Sequence, residues 1–226
     1  MGGHDHRNTH SIYKNEVRAE YLHPVLAPKK SGRGRRPEVD FAVIQHYPNV
    51  QCVVESKWVG SNGLGAEEVI WDLLRLELIA HYTGAKAFFI LAGKRRHMEA
   101  FFRSRAFLGK EDASGKFRRL LKLDSRKNAR IRVDNPQQDR LKIFQKLLSA
   151  YSDVSFGSRV TTSVGHRYPE ECPTFQYQAY AWEVTAPAST ARFRPIDHKL
   201  YASSAGSHVD SDNEIDVEQE GNNDEA

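Results

Sequence analysis

Val53-Val54-Glu55-Ser56-Lys57, read together with Asp40 upstream, is the stretch around which this chain is organised. Successive side chains of a strand point to opposite faces, so Glu55 and Lys57 share one face. They end an apolar run that also contains Cys52. Two unlike charges in such a run are costly to bury unless they have partners or a metal.

Working outward, residues 39–46 read as a strand, Tyr47-Pro48-Asn49 as a turn and residues 50–59 as the returning strand. A turn centred on Pro48-Asn49 makes opposed residue numbers sum to ninety-seven, so that Asp40 faces Lys57 and Ala42 faces Glu55. Asp40, Glu55 and Lys57 then lie on one face, with Asp40 diagonal to Glu55. A slip of one residue would separate them. The other face, with Phe41, Val43, Cys52 and Val54, is expected to be core.

The neighbouring segments give the order of elements. Residues 11–26 predict a helix, with Ser11 as cap, Tyr13, Val17 and Tyr21 as an apolar stripe and Pro24 near its end. Residues 66–82 predict a largely buried helix. Glu67 and Glu68 suit its positive end, Gly84 its exit, and Asp72 pairs with Arg75 on its polar edge. Residues 85–92 form a continuous apolar run of strand length, as expected of a strand covered on both faces. A basic helix over 94–108, a helix from Asn135-Pro136 to about residue 151, and strands over 159–164 and 174–184 complete the outline. Tyr177, Tyr180 and Trp182 are either sheet residues or platforms for stacking bases.

Composition bounds the function. The chain has 226 residues and 39% hydrophobic content, enough for one sizeable core. No apolar run approaches the roughly 18 residues of a membrane span. Two cysteines, Cys52 and Cys172, with Cys52 in a buried strand, argue against a structural disulfide and for a reducing, cytoplasmic setting. The domain reading is a polar leader over 1–10, one domain over 11–202 (core 11–110, basic extension 111–202) and a disordered acidic tail over 203–226. The tail holds eight of the 29 acidic residues and none of the 33 lysines and arginines, so a net charge of +4 conceals a body near +12. That balance fits a surface that meets phosphate backbones, or simply a lysine-rich surface. The loop with Lys29, Lys30, Arg33, Arg35 and Arg36 is either a phosphate-contacting loop or a solvated linker. Arg118, Arg119, Lys122, Arg126, Lys127 and Arg130 form a second cationic stretch.

Two carboxylates beside a lysine suit metal-assisted phosphodiester hydrolysis. Magnesium uses one or two protein carboxylates, substrate phosphate and water, and it lowers the pKa of a bound water. Asp40, a gap of fourteen residues and then Glu55-Ser56-Lys57 resembles the PD-(D/E)XK nuclease superfamily, with its proline displaced to Pro37. Asn15-Glu16-Val17-Arg18 with Pro24-Val25-Leu26 is similar to the opening of the nuclease domain of type I restriction motor subunits.

The resemblance covers roughly residues 11–92. It implies an α/β (α+β) fold with a restriction-endonuclease-like core, a central mixed sheet flanked by helices in the order α-β-β-α-β, and a basic C-terminal extension. It implies Mg2+, with Mn2+ as substitute, held by Asp40 and Glu55. Lys57 would position the attacking water, and Glu16 would be the helix-borne acid, with Glu20 as its rival. DNA ranks ahead of RNA as substrate, and homodimers or larger assemblies are compatible with the family. The rival function is a non-cleaving nucleic-acid-binding or assembly module on the same fold.

Overall fold

The computed structural model describes residues 15–26, 38–45, 49–111, 113–123, 128–165, 167–171, 173 and 176–202. Its centre is a seven-stranded mixed sheet in the order β1-β2-β3-β4-β8-β7-β5. The strands are β1 (Asn15–Tyr21), β2 (Val39–Gln45), β3 (Val50–Val59), β4 (Lys86–Lys94), β5 (Ala129–Arg132), β7 (Arg159–Val164) and β8 (Tyr177–Thr185). Two short strands, β6 (Phe156–Gly157) and β9 (Arg192–Phe193), pair separately. The helices are α1 (Ala66–Thr83), α2 (Arg95–Arg103), α3 (Arg105–Leu108) and α4 (Gln138–Ser149). None of the described helices is long and apolar enough to cross a membrane.

Much of the expected outline is present. Hairpin, buried helix and buried strand follow one another, with β3 and β4 parallel and α1 as their crossover. α1 ends where Gly84 takes a left-handed conformation (φ 71°), its N–H donating to the Ala80 carbonyl. A side chain would be strained there. The basic helix over 94–108 is broken in two at Ser104, which caps α3 by accepting from the Phe107 N–H. The four-residue β5 was not expected.

Three expectations are corrected. First, residues 15–21 form a strand paired antiparallel to β2, not a helix, so the order is β-β-β-α-β. Val17 and Tyr21, four apart, satisfy a helical stripe, but both numbers are odd and fit a strand equally well. The open edge of β2 decides between them by supplying a ladder of backbone hydrogen bonds. Secondly, the hairpin register is Phe41 opposite Val54 and Ala42 opposite Val53, a sum of ninety-five, with a bulge next to the turn where Ile44 pairs with Val50. The extra residue there is Gln51, and the Gln45 N–H donates to the Asn49 carbonyl across the turn. The offset from the expected register is two residues, which moves partners without changing faces.

Thirdly, the core lies on the other face of the hairpin. Ala42, Ile44 and Val53 are buried beneath α1 together with Glu55, whereas Phe41 is 47% exposed. Helices α1 and α2 both pack on this inner face, through Phe89, Leu91, Tyr180 and Trp182. The charged residues therefore point into the packed layer rather than away from it.

Candidate functional site

Register sets the acids in a line. Asp40 precedes the Phe41–Val54 pair, which puts it across from Glu55 on the inner face, with Lys57 the next inward position along β3. On the far side of β2, Ala19 pairs with Phe41 and Tyr21 with Val39, so Glu20 is the residue across from Asp40. Glu16 pairs instead with Ile44. Its side chain is 60% exposed and bonds to Arg18 at 3.0 Å, which holds its carboxyl below the ordinary value. Glu16 is thus on an edge strand away from Asp40, a correction to its expected place on a helix. Glu20 has φ 49°, which kinks β1 beside Asp40. Such a conformation is uncommon for a residue with a side chain.

Asp40 is held by its neighbour strand. Its Oδ2 accepts from the Ser56 N–H and from the Ser56 hydroxyl, both at 2.7 Å. Two donors on one oxygen fix the carboxylate's orientation. Lys57 reaches α1, where its Nζ lies 3.0 Å from Asp72 Oδ2. Its side chain keeps 26% exposure, so the ammonium is at the rim. Glu55, by contrast, is 1% exposed and meets Arg75 of α1, with Oε1 to Nη2 at 2.7 Å. Arg75 also donates to Asp72 Oδ1 and, at 2.7 Å, to the Glu38 carbonyl.

Asp72 and Arg75 were expected to pair, and they do. Their role in holding Lys57 and Glu55 was missed. The available signal was polar residues three apart on a helix that is apolar on nearly every other side.

Burial governs the Glu55 carboxyl. Desolvation pushes its pKa up to about 8, with the Asp72 and Asp40 charges acting the same way and Arg75 and Lys57 opposing them. Burial thus makes a proton on Glu55 easier to hold than on an exposed carboxyl, and Arg75 and Lys57 are the charges that favour the ionised form. Glu55 Oε1 and Asp72 Oδ2 are buried, and although each lies against a cation, neither receives a hydrogen bond. Hard carboxylate oxygens with unused lone pairs are the donor chemistry magnesium takes. No three His, Cys, Asp or Glu side chains among the described residues converge to hold a metal by themselves. Two carboxylates completed by water and substrate remain within magnesium's ordinary usage.

The other sequence-derived residues are dispersed. Lys29, Lys30, Arg33, Arg35, Arg36, Arg126 and Lys127 lie outside the described residues, as do the leader, Cys172 and the acidic tail. Arg118, Arg119 and Arg130 are exposed near β5, at the opposite edge of the sheet from β1, and Lys122 is half-buried. The Lys122 carbonyl accepts from Trp182 Nε1 at 2.7 Å. Tyr180 and Trp182 are buried and stack on each other, with centroids 5.7 Å apart, so they are core. Tyr177 is 58% exposed and contacts Trp58. Cys52 is a free, half-buried thiol whose pKa is raised by burial.

Comparison with protein-family models, curated proteins and solved structures found no match to this chain.

Proposed function

We propose that the chain is a magnesium-dependent nuclease that hydrolyses phosphodiester bonds in DNA, on a restriction-endonuclease-like core. The observation carrying this is the hairpin register, which sets Asp40 across from Glu55 with Lys57 one inward position further. The ordered sequence of hairpin, crossover helix and parallel strand supports the fold reading. Asp40 and Glu55 would hold the ion, with Mn2+ as substitute. Bound there, the ion would supply Lewis-acid stabilisation of phosphate charge and a more acidic water.

The chain's own residues do the rest. Ser56 fixes the Asp40 carboxylate through two 2.7 Å hydrogen bonds. Asp72 anchors Lys57 from α1, which keeps an ammonium at the rim to orient the attacking water and stabilise charge on the phosphate oxygens. Arg75 neutralises the buried acids while no divalent cation is bound. The free Cys52 thiol fits a reducing, cytoplasmic setting.

One observation favours a second reading, a non-cleaving nucleic-acid-binding or assembly module. Arg75 lies against the Glu55 oxygen that a metal would use, and Glu55 is 1% exposed.

Supercoiled, linear and single-stranded DNA, and RNA, incubated with the protein and magnesium or manganese should separate the readings. The nuclease cuts DNA, and Asp40→Ala and Lys57→Ala abolish cutting. Cleavage that survives both substitutions sinks the site assignment. Binding without cleavage of any substrate favours the module, and cleavage of RNA alone redirects the substrate.

A further inference from the structure

A second charged feature lies well away from the acids. Between β5, the start of α4 and residues 118–119 is a cavity of about 50 Å³, and its lining includes Arg118, Arg119, Arg130, Arg132 and Arg140. Among the described residues, no Asp or Glu lines it. Arg132 is matched by Asp134, which accepts from its Nε and Nη2 at 3.0 and 2.9 Å. Arg119 and Arg130 make no ion pair with any described residue.

Arg140 is the foundation. It is 5% exposed, yet its guanidinium bonds only neutral acceptors: the Arg118 and Phe107 carbonyls and Gln137 Oε1, at 3.0, 3.2 and 3.0 Å. The Asp139 charge acts on Arg140 without touching it, so the buried guanidinium keeps only neutral contacts and gives the cavity a positive field, to which the beginning of α4 adds. Guanidinium forks match phosphate oxygens geometrically, which makes arginine the usual residue for such recognition.

Size narrows the ligand. One water needs about 10–15 Å³ of such space, so the recess takes a single small oxyanion. A terminal phosphate suits such a recess better than an internal phosphodiester, because it offers three free oxygens and a larger negative charge to the guanidinium groups. Arg119 also lines an adjoining cavity of about 270 Å³ together with Phe102, Leu123 and Tyr180. Most of the rest of its wall is charged or polar, with Arg95, Glu99, Arg103 and Arg167, so the space offers the attached nucleoside an aromatic edge together with hydrogen-bonding groups.

We infer that the arginine recess beside β5 binds the terminal phosphate of a nucleotide, either at a strand end or on a free mononucleotide. From β3 to β5 is four strand spacings, about 19 Å at ~4.8 Å each. The recess is therefore separate from Asp40 and Glu55. The inference adds an end-recognition element to the nucleic-acid reading, and binding measured without metal keeps its failure distinct from failure of the nuclease reading.

The test is equilibrium binding by the full chain in chelator. The probes are matched single-stranded oligonucleotides ending in 5′-phosphate, 3′-phosphate or hydroxyl, with thymidine monophosphate and inorganic phosphate as competitors. One phosphorylated end should bind about tenfold tighter than the hydroxyl end, a gap of about 1.4 kcal/mol. Arg119→Gln and Arg130→Gln, both at exposed positions, should each narrow that gap, weakening the phosphorylated end by more than the hydroxyl end. A mononucleotide competing as strongly as the oligonucleotide assigns the recess to free nucleotides. Equal binding of all ends with no competition by either small phosphate, or a preference that survives the double substitution, overturns the inference.

Discussion

Arg75 offers the most direct test of how the acid site is held together. Arg75→Leu keeps much of the aliphatic bulk but removes a guanidinium that touches Glu55, Asp72 and the Glu38 carbonyl. Removing one partner of a buried ion pair costs about 3–5 kcal/mol, because the remaining charge is stranded. Two features here favour the lower end of that range. Asp72 keeps Lys57 at 3.0 Å, and Glu55 can take up a proton, its pKa already being raised to about 8. A loss of about 3 kcal/mol corresponds to roughly 6–12 °C in Tm at about 2–4 °C per kcal/mol for a domain of this size. Metal-free thermal and denaturant unfolding, followed by circular dichroism, reads it directly. Combined with Asp72→Asn the effect should be non-additive, because Arg75 and Lys57 share Asp72 as a partner and each change alters the charge balance the other depends on. An Arg75→Leu Tm within a degree or two of the parent, or strict additivity with Asp72→Asn, would refute the buried network.

Three further outcomes follow from the same geometry. The Glu55 carboxyl sits at about 8 in the folded chain against an ordinary value of 4.5. Its contribution to stability is therefore fully present below about pH 4.5 and lost as pH rises through about 8. Metal-free melting temperatures should fall across that window, and Glu55→Gln should flatten the decline; a decline of the same size in the variant would mean another group causes it. Ser56→Ala removes one of two donors to Asp40 and should cost about 1–2 kcal/mol. Ser56→Thr, which keeps a hydroxyl, should restore most of the stability and any metal-dependent cleavage, and its failure to do so would detach the hydroxyl from that role. Glu16→Ala should change stability by no more than about 0.5 kcal/mol and leave cleavage intact, because Glu16 is exposed and bonded to Arg18. A large loss of cleavage there would contradict its placement on the β1 edge.

The contrast between Glu55 and Glu16 shows what was legible in the sequence. A strand's two-residue period fixes which side chains share a face, so the sequence alone groups Asp40, Glu55 and Lys57. Their partners could not be fixed as well, because the bulge at Gln51 depends on turn geometry around Asn49. The inner and outer faces were exchanged for a related reason. Phe41, Val43, Cys52 and Val54 are more apolar than the face bearing charges, yet α1 covers the charged face and supplies Asp72 and Arg75 to it. Local hydrophobicity has no information about a counter-charge delivered from another element. Glu16 was misplaced because spacing of four is shared by helix and strand, and only the unpaired edge of β2 decides between them. Arg140 illustrates the same limit. Its burial is set by carbonyls of Phe107 and Arg118, which chain order alone does not bring together.

The sheet order carries a consequence for how the molecule is made. β4 has β3 on one side and β8 on the other, yet β8 begins 83 positions after β4 ends, at Tyr177 rather than Lys94. At ribosomal speeds of about 5–20 residues per second, β8 emerges about 4–17 s after its neighbour. During that interval the acid-bearing half can assemble with one side of an apolar strand, Ala87 to Ala92, still unpaired. Such an edge invites pairing between chains on the same messenger. Codon choice within the segment before Tyr177 should thus govern soluble yield more strongly than codon choice elsewhere.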